Sequence, residues 1–312
     1  MRGFDAQLTL QKLEVFCTVA ELQSVTRAAA QLCVSQPVVT AHIRNLEQRL
    51  GVPLLKRDGR GIVLTEAGGR VLKWAQGVVT RTRELERELA GALAEGPGQA
   101  LVAASMSAGS YLLPGVVCDF HALHPEGRVQ ISISTPQEVL QAVRAGGADF
   151  AVSMILPEQD MDGLVVQSLW NEALLLMSAP DSRWIGAAAQ RGELQQAPFI
   201  STYSKVMRQL EEGQVRANGI APRRIVMELG HPAAQMEAVR RDVGVCFFLQ
   251  SSVQREIDRG ELRHVLTPDV HMSIPLYLVR RKDKELSPFQ HKLYRHIEAA
   301  RPPGVQAFSG QA

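Results

Sequence analysis

The stretch from residue 24 to residue 68 constrains this chain most. Ser24 can cap a helix running to about Leu32, with Ala28, Ala29 and Leu32 turned inward and the alanines small enough for close helix contact. A turn at Cys33-Val34 follows. Ser35 can cap the next helix, and Pro37 is tolerated in its first turn, where N–H groups lack helical partners. Val39, Ile43, Leu46 and Leu50 then form a buried stripe, and Gly51 stops the helix. Upstream, Leu13, Phe16, Cys17 and Ala20 repeat the same periodicity. Downstream, residues 54–57 and 62–64 flank Asp58-Gly59-Arg60-Gly61, turn residues between two apolar runs, which predicts a β-hairpin. The pattern predicts a winged helix-turn-helix over residues 1–65, whose last helix is of the kind that enters a major groove.

Removing the buried stripe leaves Gln36, Pro37, Thr40, Ala41 and Arg44 facing outward near the start of the third helix, just after Ser35. Gln can pair bidentately with adenine, Thr can contact the thymine methyl, and Arg can reach guanine or phosphate. Thr26 can hold a phosphate through its hydroxyl. Arg57 and Arg60 stand in the wing, placed for the backbone or the minor groove. Taken singly, Gln36 and Thr40 read as ordinary solvated residues; on this scaffold they read together as base contacts. The expected partner is double-stranded promoter DNA.

Thr65 can cap a long helix over residues 66–93. In it Val71, Ala75, Val78, Thr82, Leu85 and Leu89 step alternately by four and three, a short coiled-coil seam. Residues 66–95 therefore read as a dimerisation helix, with Val71, Ala75, Val78, Leu85 and Leu89 at the seam; a helix packed on its own domain is the alternative. Residues 1–95 carry 13 Lys+Arg against 10 Asp+Glu, the remainder 21 against 22. A mildly basic front and a neutral rear suit local phosphate contact rather than a polyelectrolyte tail.

With 312 residues there is room for two or three domains. Glu95-Gly96-Pro97-Gly98 reads as a linker, and beyond it short apolar runs alternate with helical patterns, which argues for α/β units. Strands are expected at 101–104, 129–134, 150–154, 173–178, 199–202, 225–228, 245–248 and 276–279, and helices at 111–123, 137–145 and from Pro288. Residues 301–312, with Pro302-Pro303-Gly304, read as a disordered tail. The N-terminus lacks a signal pattern and no apolar run is long enough to span a bilayer, so a cytoplasmic, nucleoid-associated protein without membrane contact is expected. Cys17, Cys33, Cys118 and Cys246 stand far apart, which fits a reducing compartment and argues against a structural zinc site.

Ala28-Ala29, Leu32, Ser35-Gln36-Pro37, Ile43-Arg44-Asn45-Leu46-Glu47, residues 50–55 and Leu64-Thr65-Glu66-Ala67-Gly68 resemble the LysR-type transcriptional regulators. Residues 104–107, Tyr111-Leu112-Leu113-Pro114, Phe120, His124-Pro125 and residues 148–152 are similar to the opening of that family's effector domain. The resemblance implies two lobes of periplasmic-binding-protein type II over residues 98–300, lobe I at about 98–167 and 268–300 and lobe II at about 168–267. The crossovers are placed near 167–170 and 266–270. It also implies homodimers paired into tetramers, a small-molecule effector, and contact with RNA polymerase. The chain departs from the family pattern at Ala41-His42, at Ser204-Lys205-Val206-Met207-Arg208, where a glycine-rich turn is common, and at Asp242, where glycine is usual.

Ser105, Met106 and Ser107 end the first strand of that domain and lead into a helix N-terminus, a place that favours an anion. Thr135 follows the next strand and would face the same cleft, because ligands in open α/β sheets bind beyond strand carboxyl ends. From the other lobe Thr202, Ser204, Lys205 and His231 are candidates, Lys205 to neutralise a carboxylate. Each of these hydroxyls can equally be a helix cap. A small, anionic effector is expected, with no cofactor and no metal.

No nucleophile elbow, zinc-helix or phosphate-loop pattern is present, so an enzyme is not expected. Asp119, His121 and His124 crowd one helix end but read as surface and capping residues. Two other regulators stay open: one that senses redox through a cysteine thiol, and a repressor that needs no effector.

Overall fold

The computed structural model describes residues 8–58, 61–93, 98–220, 222–302 and 305–307. The chain divides into two compact units, Met1–Glu95 and Gly96–Ala312.

In the first unit α1 (Leu10–Leu22), α2 (Val25–Gln31) and α3 (Gln36–Leu50) precede a hairpin of β1 (Leu55–Asp58) and β2 (Gly61–Leu64), then α4 (Glu66–Leu93). Local chemistry sets each boundary. Ser24 Oγ accepts the Arg27 N–H, and Thr65 Oγ accepts the Gly68 N–H at 2.9 Å. Ser35 is the N-cap of α3, although its side chain makes no capping bond, and Gly51 ends that helix in the left-handed region. Phe16, Val19, Ala28, Val39, Leu46 and Leu54 form the fully buried centre. Leu50, read as the end of the α3 stripe, is exposed.

The helix α4 corrects the expected seam. Ala75 is fully buried and Val79 nearly so in the core of the same unit, with Val71 and Val78 half-buried against it. These residues pack on α1, where Arg83 also pairs with Glu14 at 2.9 Å, so Ala75 faces its own core and not a partner. Only Leu85 and Leu89 of the expected set, at 54% and 53% exposed, are uncovered, together with Trp74. Gly68 lets α4 start this close: a Cβ there would fall 2.0 Å from the Leu54 carbonyl oxygen.

The second unit is α/β. In chain order it holds β3 (Gln99–Ser105), a π-helical turn (Ala108–Leu112), α5 (Leu113–Leu123), β4 (Arg128–Ser134), α6 (Pro136–Arg144), β5 (Phe150–Ser153) and β6 (Leu164–Ser178). Next come α7 (Arg191–Gln196), β7 (Pro198–Thr202), α8 (Lys205–Ala217), β8 (Arg224–Leu229), α9 (Pro232–Arg240), β9 (Cys246–Leu249) and α10 (Gln250–Asp258). Finally β10 (Arg263–His264), β11 (Ser273–Arg281), α11 (Pro288–Ala299) and β12 (Val305–Ala307) close the fold.

The strand β3 lies parallel between β4 and β5, and β11 joins β5 to β6 antiparallel. The fifteen-residue β6 then changes partners. Residues up to Ala173 pair with β11, whereas Leu174 to Met177 pair with β9. This one strand carries the chain from the first lobe, built on β3, β4, β5 and β11, into the second, built on β7, β8, β9 and β10.

A buried ion pair anchors the second lobe. Arg223 Nη1 meets Glu211 Oε1 at 2.6 Å, and the guanidinium lies 5.0 Å over the Phe199 ring. The tail departs from expectation: β12 pairs antiparallel with Trp170, Asn171 and Glu172 of β6. The Trp170 indole N–H donates to the Ala300 carbonyl, which returns the chain to an otherwise unpaired strand edge.

Candidate DNA-reading surface and effector site

On the first unit Thr26, Ser35, Gln36, Pro37, Ala41 and Arg44 are exposed and Thr40 is half-buried, on α2 and the first half of α3. Gln36 Nε2 donates to Thr26 Oγ1 at 2.7 Å, so the two candidate residues form one unit across the turn. That bond leaves open the Thr26 hydroxyl hydrogen and, on Gln36, the side-chain carbonyl and second side-chain N–H. The Thr40 hydroxyl donates back to the Gln36 backbone carbonyl at 3.0 Å, which occupies its polar end and leaves its methyl group. Val38, Asn45 and Gln48 extend the exposed surface and escaped the sequence reading, because a polar or apolar type alone does not say which way a residue faces.

The wing is held to α3 by Glu47, whose Oε1 accepts the Leu54 and Leu55 N–H groups at 2.7 and 3.2 Å. Arg57 is exposed on β1; Arg60 lies outside the described residues.

The effector candidates fall into two groups in the second unit. Ser105 pairs with Ser134 across β3 and β4, so Ser105, Ser107 and Thr135 share one carboxyl edge of the sheet. Ser105 is 1% exposed and its hydroxyl has no hydrogen-bond partner. Ser107 is the buried N-cap of the π-helical turn and makes no capping bond. Met106 is 37% exposed, with its sulfur near the Ser110 hydroxyl. Thr135 differs: its hydroxyl donates to Glu138 at 2.8 Å and accepts the Glu138 N–H in a closed capping box. The Thr135 N–H, which donates to the same carboxylate at 3.0 Å, and the Thr135 hydroxyl together hold the Glu138 carboxyl below its usual range.

In the second lobe Thr202 pairs with Leu229, which puts Thr202, Ser204 and His231 at one edge of β7 and β8. Local bonds occupy two of them. Thr202 Oγ1 accepts the Ser204 N–H, and His231 Nδ1 accepts the Ala233 N–H as the cap of α9. Lys205 stands elsewhere. With Val206 and Gln209 it lines an open cavity of about 480 Å³ against Gln137, Gln141 and Arg144 of α6. None of the candidate hydroxyls lines that cavity.

Burial pushes the Cys17 thiol up to about 12 and Cys246 well above its ordinary value, while Cys33 and Cys118 are exposed and all four are free. Among the described residues no group of three metal-ligating side chains occurs, and no helix is long and apolar enough to cross a membrane.

Residues 10–69 match the family described as bacterial regulatory helix-turn-helix protein, lysR family, and residues 94–301 match the LysR substrate binding domain. The chain belongs to the LysR family. It is a DNA-binding transcriptional regulator with an effector-binding domain. It is 28% identical over 278 residues to the probable RuBisCO transcriptional regulator of Trieres chinensis, covering 87% of this chain and 90% of that one. Among solved structures, a full-length OxyR variant from Pseudomonas aeruginosa superposes with a TM-score of 0.65 at 22% identity, over 98% of this chain and 99% of that one. The regulatory domain of Synechocystis CcmR in complex with 2-PG superposes with a TM-score of 0.57 at 18% identity, over 65% of this chain and 96% of that one. The N-terminal winged helix-turn-helix and the two-lobed, periplasmic-binding-type effector domain of this LysR regulator agree with these neighbours.

Proposed function

We propose that this LysR regulator reads an interrupted palindrome as a dimer and catalyses no reaction. It takes a small anionic metabolite between the lobes of residues 98–300, and works in the cytoplasm on promoter DNA. Thr26, Gln36, Thr40 and Arg44 read or position the major groove, and Arg57 contacts the backbone. Leu85 and Leu89 supply the apolar strip for the partner helix. Ligand binding shifts transcription only through different affinity for the active and inactive arrangements.

One observation carries the effector reading. The Ser105 hydroxyl is buried, unpartnered, and set at a strand carboxyl end beside an uncapped helical turn. A buried hydroxyl without a partner costs about 1–3 kcal/mol, which a ligand oxygen would recover. The neighbour solved in complex with 2-PG supports a small-molecule ligand. The redox alternative lacks support from the cysteines, two of which are buried with their thiols held neutral.

The test is a thermal-shift screen of organic and phosphorylated acids, 2-PG among them, on the full chain, followed by calorimetry on Ser105→Ala. The substitution should leave the ligand-free protein as stable or slightly more stable, and weaken the hit about tenfold. A hit that binds Ser105→Ala with undiminished affinity would move the effector away from this edge.

A further inference from the structure

The strand that joins the lobes carries a fully buried acid. Glu172 lies on β6 at the point where its partners change: Glu172 pairs with Ile274 of β11, and two residues later Leu174 pairs with Leu249 of β9. The side chain is 0% exposed. Its Oε1 accepts the Ser251 N–H at 2.8 Å, in the first turn of α10. Its Oε2 has no partner, and neither has the buried Ser251 hydroxyl beside it. A buried carboxylate with two oxygens and one donor is poorly satisfied when ionised, and no cation among the described residues pairs with it.

None of the charges on the elements packed around Glu172 is among the forces acting on it. The charged residues of α10 are Arg255, Glu256 and Asp258; Glu256 faces Arg240 of α9 at 3.7 Å. The charges of β11 are Arg280 and Arg281, paired with Val165 and Leu164 at the far end of β6. Arg263 and His264 of β10 pair with Ser178 and Met177 at the last two residues of β6, and β9 has no charged residue. Tyr294 and Glu298 of α11 bond Gln167, five residues up the strand. Glu237 of α9 pairs with Arg240 and Arg241. The forces acting on Glu172 are burial, which raises its proton affinity, and its contact with Ser251 at the start of α10, which lowers it. Burial dominates and holds the carboxyl at about 7, against 4.5 for an ordinary glutamate.

We infer that Glu172 is a proton-linked joint between the lobes, and that its ionisation tightens α10 onto the crossover strand. When ionised, the carboxylate accepts charge-assisted bonds from the Ser251 N–H and, after a rotation, from the Ser251 hydroxyl, at the positive end of α10. When protonated, Oε2 becomes a donor, the Ser251 hydroxyl turns to accept it, and the bond to the helix becomes a neutral and weaker one. The helix α10 also packs on the π-helical turn of the first lobe, the turn that follows Ser105. The joint is thus built to make the lobe contact beside the proposed effector edge depend on pH. The joint itself needs no effector, so it stands apart from the effector reading.

The experiment is hydrogen-exchange mass spectrometry of the full chain from pH 6 to pH 8 with no ligand, corrected for intrinsic exchange. Amides of α10 should become several-fold better protected through a midpoint near 7, relative to α6 as an internal reference. Glu172→Gln, which cannot ionise, should flatten that change. Ser251→Ala, a small change that removes one donor, should move the midpoint to higher pH. Global stability runs the other way and gives an independent reading. The folded-state proton affinity is raised, so the protonated group's contribution is full below the unfolded value and is lost as pH rises through about 7. Wild type should therefore lose melting temperature between pH 6 and 8 that Glu172→Gln keeps. Protection of α10 that is flat in wild type, or that changes identically in Glu172→Gln, overturns the joint. So does a midpoint unmoved by Ser251→Ala, whatever the effector screen shows.

Discussion

Cys33 holds the helix-turn-helix turn in the left-handed region, with φ of 54°, although only glycine and asparagine adopt it readily. The thiol is exposed and makes no disulfide; the turn is held by its backbone, where the Val34 N–H donates to the Ala29 carbonyl at 3.0 Å. Cys33→Asn should raise the melting temperature by a few degrees, on the order of 1 kcal/mol, with promoter affinity unchanged. A lower melting temperature would show that the thiol has a stabilising contact. Asp242 shows the contrasting case. It too has a φ of 54°, where the family resemblance suggests glycine, but its carboxylate accepts the Ser182 hydroxyl at 2.6 Å and the Arg183 N–H at 3.2 Å. Its carbonyl takes the Trp184 indole N–H at 2.8 Å. The aspartate at 242 thus clamps the 182–184 turn. Residue identity alone does not show which hydroxyls are engaged. Thr135 and Ser105 read alike in the sequence, yet a glutamate three residues later occupies only the first.

At the scale of elements, the three helices of the reader were legible because caps, periodic stripes and a terminal glycine all mark the same boundaries. The seam on α4 was half legible. A heptad stripe says that a face is apolar, not which neighbour covers it; α1 takes the first half and leaves Leu85 and Leu89 open. The first half of β6 was not legible, since Gln167, Ser168, Asn171 and Glu172 interrupt its apolar pattern where it crosses between lobes. The same fact hid Glu172, a residue that only burial makes unusual. The double variant Leu85→Glu, Leu89→Glu should dissociate the dimer in sedimentation while the unit's melting temperature holds, because both side chains are already exposed. An unchanged assembly would place the partner contact elsewhere.

At the scale of the molecule, composition and charge asymmetry already separate a basic front from a neutral α/β rear, and the two compact units follow that division. The tail shows the limit of such reading: its Pro-Gly start suggests disorder, but the open edge of β6 beyond β9 offers backbone partners that a sequence does not display. We propose that the face shared by Thr26, Gln36, Thr40 and Arg44 reads DNA for the whole protein. It is tested most directly by selecting bound sequences from a random duplex pool with the intact chain, in wild type and in Gln36→Ala. Wild type should enrich an interrupted palindrome. Gln36→Ala should lose about 1–3 kcal/mol of preference at one position in each half-site and keep the spacing. Failure to enrich any sequence, or an identical preference in the variant, would contradict the account.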